Sequence, residues 1–256
     1  MNRTGADRRG PERRPPRPVP RRRPRPHPRS PRAAPPTRQV FGTQGQGLAW
    51  GGELQDMNVL AIETTTDICS VALVTDGCWF EDTRSAPRLH NRHVLAMIDN
   101  ILEAAEITRG KIEVIAFGAG PGSFTGVRIA AAVAQGVALA VGARALAVPS
   151  STVAAECVRR SSGRRGEITV ARACRPGLHH VSRFTLGQDH VDCLEFDRVA
   201  VVDTSSTEVV DAARLSPNAR VVGQLALDGI DAAVAPALAL PYYVEGDSPW
   251  REAEGA

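Results

Sequence analysis

A chain of 256 residues is long enough for one or two domains, but its first 38 residues, Arg and Pro almost throughout, cannot bury an apolar core. They hold 13 Arg against Asp7 and Glu12, a net +11, so the formal +3 of the whole chain leaves −8 on residues 39–256. The basic balance therefore belongs to the extension, and the five cysteines, with no Cys-x-x-Cys, exclude a disulfide framework and favour a reduced cytosolic protein.

Residues 1–56 are expected to be disordered, Arg/Pro-rich to residue 38 and then a linker carrying Gly42, Gly45, Gly47, Gly51 and Gly52. No apolar stretch follows Arg21 to Arg23, so they are not a twin-Arg export signal, and the prolines oppose a transit helix. An RNA-binding arm is one reading. Upstream coding sequence translated from a mis-set start is the favoured one, because Lys111 is the single lysine among 31 basic residues and Met57 stands immediately before the first strand. No run is expected to be long and apolar enough to cross a bilayer, and no membrane contact is anticipated.

The apolar run 59–62 ends at Glu63-Thr64-Thr65-Thr66, a second run 69–74 ends at Thr75-Asp76-Gly77, and Trp79 and Phe80 start a third. Asp-Gly between such runs signals a hairpin, so a three-strand antiparallel meander is predicted. The spacing of Val94, Leu95, Ile98, Ile101, Leu102 and Ala105 predicts a helix over 91–106. A strand over 114–117, a helix over 125–141, a strand over 143–148 and a helix over 151–159 follow. This order suits a mixed α/β sheet with helices packed on it. Further on, 168–171, 181–186, 200–202 and 220–223 read as strands and 206–215 as a short helix.

Gly118-Ala119-Gly120-Pro121-Gly122-Ser123-Phe124-Thr125-Gly126-Val127-Arg128 joins strand 114–117 to its helix. Glycines before a helix N-terminus suit a phosphate, and they equally suit a tight turn that only permits close packing. No Gly-Lys-Ser/Thr follows, and the third Gly falls at the wrong offset with Pro121 interrupting, so neither a Walker loop nor a Rossmann fingerprint is present. In the helix that follows, Arg128 and Gln135 are the only strongly polar residues after Val127. A helix apolar all round must be covered all round. The sheet covers one side, and helix 91–106 or a second protein must cover the rest, with Ala130, Ala131, Ala134 and Gly136 permitting close approach.

Residues 60–66, 69–73, His90 opening a helix, 117–129 and Gln135-Gly136-Val137-Ala138-Leu139-Ala140 occur in the order of one family. The chain resembles TsaB (also called YeaZ) over about residues 57–155. The resemblance implies an actin-like ATPase (ribonuclease H-like) α/β fold of two related halves, 57–150 and a reduced, divergent 151–256. It implies a non-catalytic scaffold that binds and activates TsaD, the subunit that places threonylcarbamoyl on the adenosine next to the tRNA anticodon. A TsaE-like ATPase would dock on that pair, tRNA would be reached only through the complex, and self-pairing of the isolated chain is left open. On this resemblance the interface residues are His90, Val94, Ile98, Val127, Arg128, Ala131, Ala134 and Gln135. Glu63, Thr64, Gly120, Gly122, Ser123, Thr125 and Gly126 would form a vestigial phosphate loop. No cofactor would be bound stably by this chain alone, with ATP or ADP and a divalent metal held by the partner subunits.

Three departures from the family stand out. Glu63 occupies a position where Asp is usual, Val170-Ala171-Arg172 lacks the usual Asp, and His179-His180 lie near an expected aromatic. Pro241-Tyr242-Tyr243-Val244, with Trp250 beyond it, is weakly similar to the family's closing segment.

His90 and His93 could present two nitrogens to a metal, but no third ligand of suitable spacing is visible, so capping or an interface is favoured for His90. His179 and His180 point to opposite faces of a strand. Glu63 with Asp67 could be an acid–base pair, although such residues in a polar loop are usually solvated. Arg128 is expected to meet a partner's carboxylate. Ser123, Thr125 and Ser150 have no base and orienting acid, which speaks against a hydrolase or protease. The rival enzyme reading, an independent actin-like ATPase or phosphotransferase, needs a second glycine-rich loop where the chain offers only Val222-Gly223-Gln224 and Gly229.

Overall fold

A computed structural model describes residues 37–39 and 57–244, within one compact unit. The expectations for residues 1–36, for the linker after residue 39 and for Trp250 lie outside the described residues. The strands are β1 (Thr37–Gln39), β2 (Val59–Glu63), β3 (Ile68–Thr75), β4 (Cys78–Ser85), β5 (Val114–Gly118), β6 (Arg144–Val148), β7 (Gly166–Arg175), β8 (Leu178–Leu186), β9 (Val191–Ala200) and β10 (Val209–Asp211). The helices are α1 (His90–Ala104), α2 (Phe124–Val141), α3 (Ser150–Ser162) and α4 (Ala219–Asp228).

The first sheet runs β1-β4-β3-β2-β5-β6. The meander β2-β3-β4 is antiparallel, whereas β5 and β6 join it in parallel. β2 and β5 are buried along their whole length, which is why both read as unbroken apolar runs instead of alternating ones. On one face Leu60, Ile62, Ile115 and Phe117 pack with Met97, Ile98 and Ile101 of α1 and with Ala130, Ala134 and Ala138 of α2. The opposite face, through Val59, Ala61, Val114 and Ala116, packs on Ala219, Val222 and Ala226 of α4. Burial of this kind is the main favourable term in folding, at roughly 25 cal/mol per Å².

The second sheet runs β10-β7-β8-β9, with β7-β8-β9 antiparallel and β10 parallel to β7. Read from the other edge, this order repeats that of β4-β3-β2-β5 in the first sheet and, among the described residues, omits a counterpart of β6. The second half is therefore a shortened copy of the first. α3 covers it, with Ala154, Ala155 and Val158 against Ile168, Val170, Phe184 and Leu186.

Several expectations change. Thr37–Gln39 pairs antiparallel with β4, so this part of the segment expected to be disordered adds a strand to a sheet edge that would otherwise leave backbone groups unpaired. Residues 220–223 are not a strand: they lie in α4. There Asn218 Oδ1 accepts the Val221 N–H at 3.1 Å, and the apolar set Ala219, Val222, Gly223 and Ala226 has helical spacing once the window is long enough. Residues 206–215 form β10 and a short 3-10 turn over Ala212–Arg214 instead of a helix, because β7 offers a parallel edge. Of the strand expected at 200–202 only Ala200 is in a strand, as the last residue of β9; residues 201–202 lie beyond it, and the earlier residues of β9 escaped notice because bulges interrupt their alternation. α2, at 18 residues and mean hydropathy 1.6, is long and apolar enough by composition to cross a bilayer, contrary to expectation, and it lies here on the first sheet.

Removing the α4 cap with Asn218→Ala should cost about 1 kcal/mol, read as a lower urea midpoint at unchanged m-value. An unchanged midpoint would contradict the helical assignment of 219–228.

Candidate functional site

Parallel neighbours β2 and β5 end side by side, so the turn Glu63-Thr64-Thr65 and the loop Gly118 to Gly126 emerge against each other. Thr64 Oγ1 donates to the Gly126 carbonyl at 2.8 Å, and the Ser123 N–H donates to the Thr65 carbonyl at 2.8 Å. Gly120 and Ser150 exchange two bonds: the Gly120 N–H donates to Ser150 Oγ at 3.0 Å, and the Ser150 N–H donates to the Gly120 carbonyl at 2.7 Å. The Gly126 N–H donates to Ser123 Oγ, which caps α2.

The glycines are explained by this contact. A Cβ on Gly118 would collide with the Glu63 carboxylate, and one on Gly126 would collide with the Thr64 carbonyl oxygen. At Gly122 a Cβ would lie 2.6 Å from Thr65 Cβ, and at Gly120, where φ is +100°, 2.9 Å from the Tyr242 carbonyl oxygen. The side of the loop where a phosphate would be cradled is thus filled by the chain itself, and several of its N–H donors already have acceptors. Of the two readings of the glycine string, close packing accounts for the geometry.

Glu63 is fully buried at the end of β2, not solvated as expected, while Asp67 is exposed. Its Oε1 accepts the Thr65 N–H at 2.6 Å, and its Oε2 has no hydrogen-bond partner among the described residues. Burial pushes the carboxyl above its ordinary range. The hydrogen bonds from Thr65 and the charges of Arg172 and His90 oppose that rise without cancelling it. Arg172, on β7, is drawn down by burial, and its Nη2 also lacks a hydrogen-bond partner among the described residues. Ser151 and Ser182 both donate to Asp197, at 2.8 and 2.6 Å. Burial pushes the Cys69 and Cys157 thiols up to about 11, so neither is an activated nucleophile. No group of three metal-ligating side chains occurs among the described residues.

The predicted interface residues are largely turned inward. His90, Val94, Ile98, Val127, Ala131 and Ala134 are all buried within the chain's own core. The Gln135 amide donates to the Ala239 carbonyl at 2.9 Å. Arg128 is exposed as expected, but its Nη1 donates to the Phe124 carbonyl at 3.0 Å and its guanidinium lies over the Phe124 ring, 3.3 Å from the centroid, with Tyr243 at 5.1 Å. The outward stripe of α2 is instead Ala132, Gly136, Leu139 and Ala140, with Leu139 77% exposed.

A C-terminal strap borders that stripe. Val234 bridges to Ala145 at the free edge of β6, a 3-10 turn over Pro236–Leu238 packs on α2, and the Tyr242 N–H donates to the Ala119 carbonyl at 2.8 Å. Leu238, Leu240 and Tyr243 are exposed on it. Sequence reasoning noticed Pro241 to Val244 but not the contact with α2; the prolines and the lack of periodicity before them concealed it.

Two lobes with one strand order, the second abbreviated, and a loop closed by its own neighbours define a protein of the actin-like, ribonuclease H-like fold. Residues 84–178 match the TsaD family, described as tRNA N6-adenosine threonylcarbamoyltransferase. Over 102 residues the chain is 42% identical to the tRNA threonylcarbamoyladenosine biosynthesis protein TsaB of Haemophilus influenzae, covering 40% of this chain and 42% of that protein. The Escherichia coli protein of the same name is 39% identical over 107 residues, 42% of this chain and 46% of that one. These matches span less than half the length of either relative. The solved structure of YeaZ from Pseudomonas aeruginosa is 30% identical with a TM-score of 0.64, covering 73% of this chain and 100% of that one. The chain belongs to the TsaB (YeaZ) family.

Two outcomes test the site. Gly126→Ala should destabilise by about 2 kcal/mol or more through its backbone collision. Gly136→Ala on the same helix, where a Cβ meets nothing within 4 Å, should stabilise by about 0.5–1 kcal/mol; equal effects in chemical denaturation would refute the packing role. For Glu63, the raised native value means that the folded state holds the proton more tightly than the unfolded chain. That contribution is complete below the unfolded value of about 4.3 and is lost as pH rises through the native one. Glu63→Gln should therefore melt higher than the parent at neutral pH, with the gap closing as pH falls toward about 4. A gap independent of pH would contradict it.

Proposed function

We propose that this chain is the non-catalytic, partner-binding subunit of the machinery that forms N6-threonylcarbamoyladenosine next to the tRNA anticodon. In this reading it docks on a TsaD-like catalytic subunit and activates it, a TsaE-like ATPase joins the pair, and tRNA is engaged only through the complex in the cytoplasm. The isolated chain self-pairs through the same surface. ATP or ADP and a divalent metal belong to the partner subunits, and this chain holds none stably alone.

One observation carries the reading: α2 presents Ala132, Gly136, Leu139 and Ala140 outward, beside the exposed Leu238, Leu240 and Tyr243 of the strap. Small residues let another helix approach closely, and the surrounding apolar side chains supply the driving force for association. The names of the relatives support the pathway, and the filled glycine loop supports a subunit without nucleotide chemistry of its own.

Gly136→Arg and Ala132→Arg introduce a bulky charge into the stripe where the monomer has room, so neither should destabilise the monomer by more than about 0.5 kcal/mol, and Gly136→Arg should gain from losing a mid-helix glycine. Both should abolish co-purification with a co-expressed TsaD-like subunit by burying an unpaired charge. Co-purification that survives both changes would place the interface elsewhere. The competing reading, an independent ATPase or phosphotransferase, would instead require micromolar ATP affinity with turnover by the chain alone.

A further inference from the structure

β9 is an outer strand of the second sheet, bonded to β8 on one side and to no strand among the described residues on the other. A free edge is a row of unpaired N–H and C=O groups, and chains commonly blunt it with lysine, proline or short length. β9 is 10 residues long and contains neither lysine nor proline. It also carries two large apolar side chains that its own chain leaves open, Leu194 at 49% exposure and Phe196 at 60%. The bulges against β8 raise its local twist, which a strand of ordinary twist would not match and an identical strand would.

The order of residues along β9 says what fits there. The stretch Val191-Asp192-Cys193-Leu194-Glu195-Phe196-Asp197-Arg198-Val199 is self-complementary about Glu195. In an antiparallel pair with its own copy centred on that residue, Val191 falls opposite Val199, Asp192 opposite Arg198 and Leu194 opposite Phe196, each pairing occurring twice by symmetry. Apolar meets apolar and acid meets base, the pairings that stabilise neighbouring strands. Displacing the axis by one residue sets Asp192 against Phe196 or Leu194 against Arg198. Cys193 and Asp197 are turned to the α3 side, where Ser151 and Ser182 hold Asp197. The two copies of Glu195 meet at the axis, where Arg183, its ladder partner on β8, and Arg198, 3.8 Å away, offset the like charges.

We propose that β9 is a self-recognition edge, on which a second copy of this chain docks antiparallel through a twofold axis at Glu195, joining the two second sheets into one continuous sheet. The α2 stripe lies on the first sheet, so this pairing and the proposed docking through α2 are independent properties of the chain.

The experiment is sedimentation velocity of the full chain over a concentration series in a Gly136→Arg background, which removes pairing through α2. A reversible monomer–dimer equilibrium should persist there. Asp192→Arg or Arg198→Asp, each at an exposed position, sets like charges opposite each other twice per dimer and should weaken dimerisation about tenfold. The two changes together restore opposite charges and should bring the dissociation constant back to within about threefold of the starting value. Phe196→Lys should abolish the dimer, with circular dichroism confirming the fold of each variant. A Gly136→Arg chain that stays monomeric throughout, as it would if β9 seated a strand of another protein, overturns the proposal. So does a double charge swap that pairs no better than either single one.

Discussion

The backbone contact between the glycine loop and the turn after β2 is the constraint on which the rest depends. β2 and β5 are parallel and end together, so two connections must leave the same end of the sheet through the same space. Side chains on both would not fit. Glycine on one side lets the Thr64 and Thr65 carbonyls, and the Glu63 carboxylate, approach the opposing chain directly. Once these bonds form, the start of α2 is fixed relative to the sheet, and the start fixes which residues of α2 face outward.

The same contact accounts for the buried Glu63. Its carboxylate occupies the room that a side chain on Gly118 would have needed, with only one oxygen satisfied by a neighbour among the described residues. The guanidinium of Arg172 on β7, in the second sheet, opposes the rise that burial imposes on this carboxyl, so the two sheets are coupled electrostatically at this point. α4 ties the halves in a second way. It follows β10 of the second sheet but packs on the first, where the Ala219 N–H donates to Ser70 Oγ at 3.1 Å and Arg220 pairs with Glu81 at 2.6 Å beside the Trp79 ring. The abbreviated half is thereby anchored on the complete one.

Legibility in the sequence varied with the kind of signal. The meander, both helices of the first half and the glycine string were readable because each rests on local chemistry: an Asp-Gly turn, a three-and-four spacing, a run of residues without side chains. α4 was missed because Arg220 to Gly223 taken alone resembles a strand, and the Asn218 cap decides otherwise. β9 was missed because its bulges break the alternation. The outward face of α2 was misread for a different reason. A helix that is apolar all round has no contrast between its faces, so Ala131 and Ala134 could not be told from Ala132 and Gly136 until the sheet was in place.

The order of strands and helices in the first half, the family and the presence of an uncovered apolar helix were determined by the sequence by itself, since each follows from residues close together along the chain. Tertiary structure alone decided that the glycines hold a backbone contact, that Glu63 is buried without a full complement of partners, and that the C-terminal strap completes the α2 surface. Those three outcomes join residues 63 with 118, 64 with 126 and 135 with 239. No local pattern encodes such distant pairs, because the first two are selected by the packing space left when two parallel strands end together and the third by the side of α2 that the sheet leaves open.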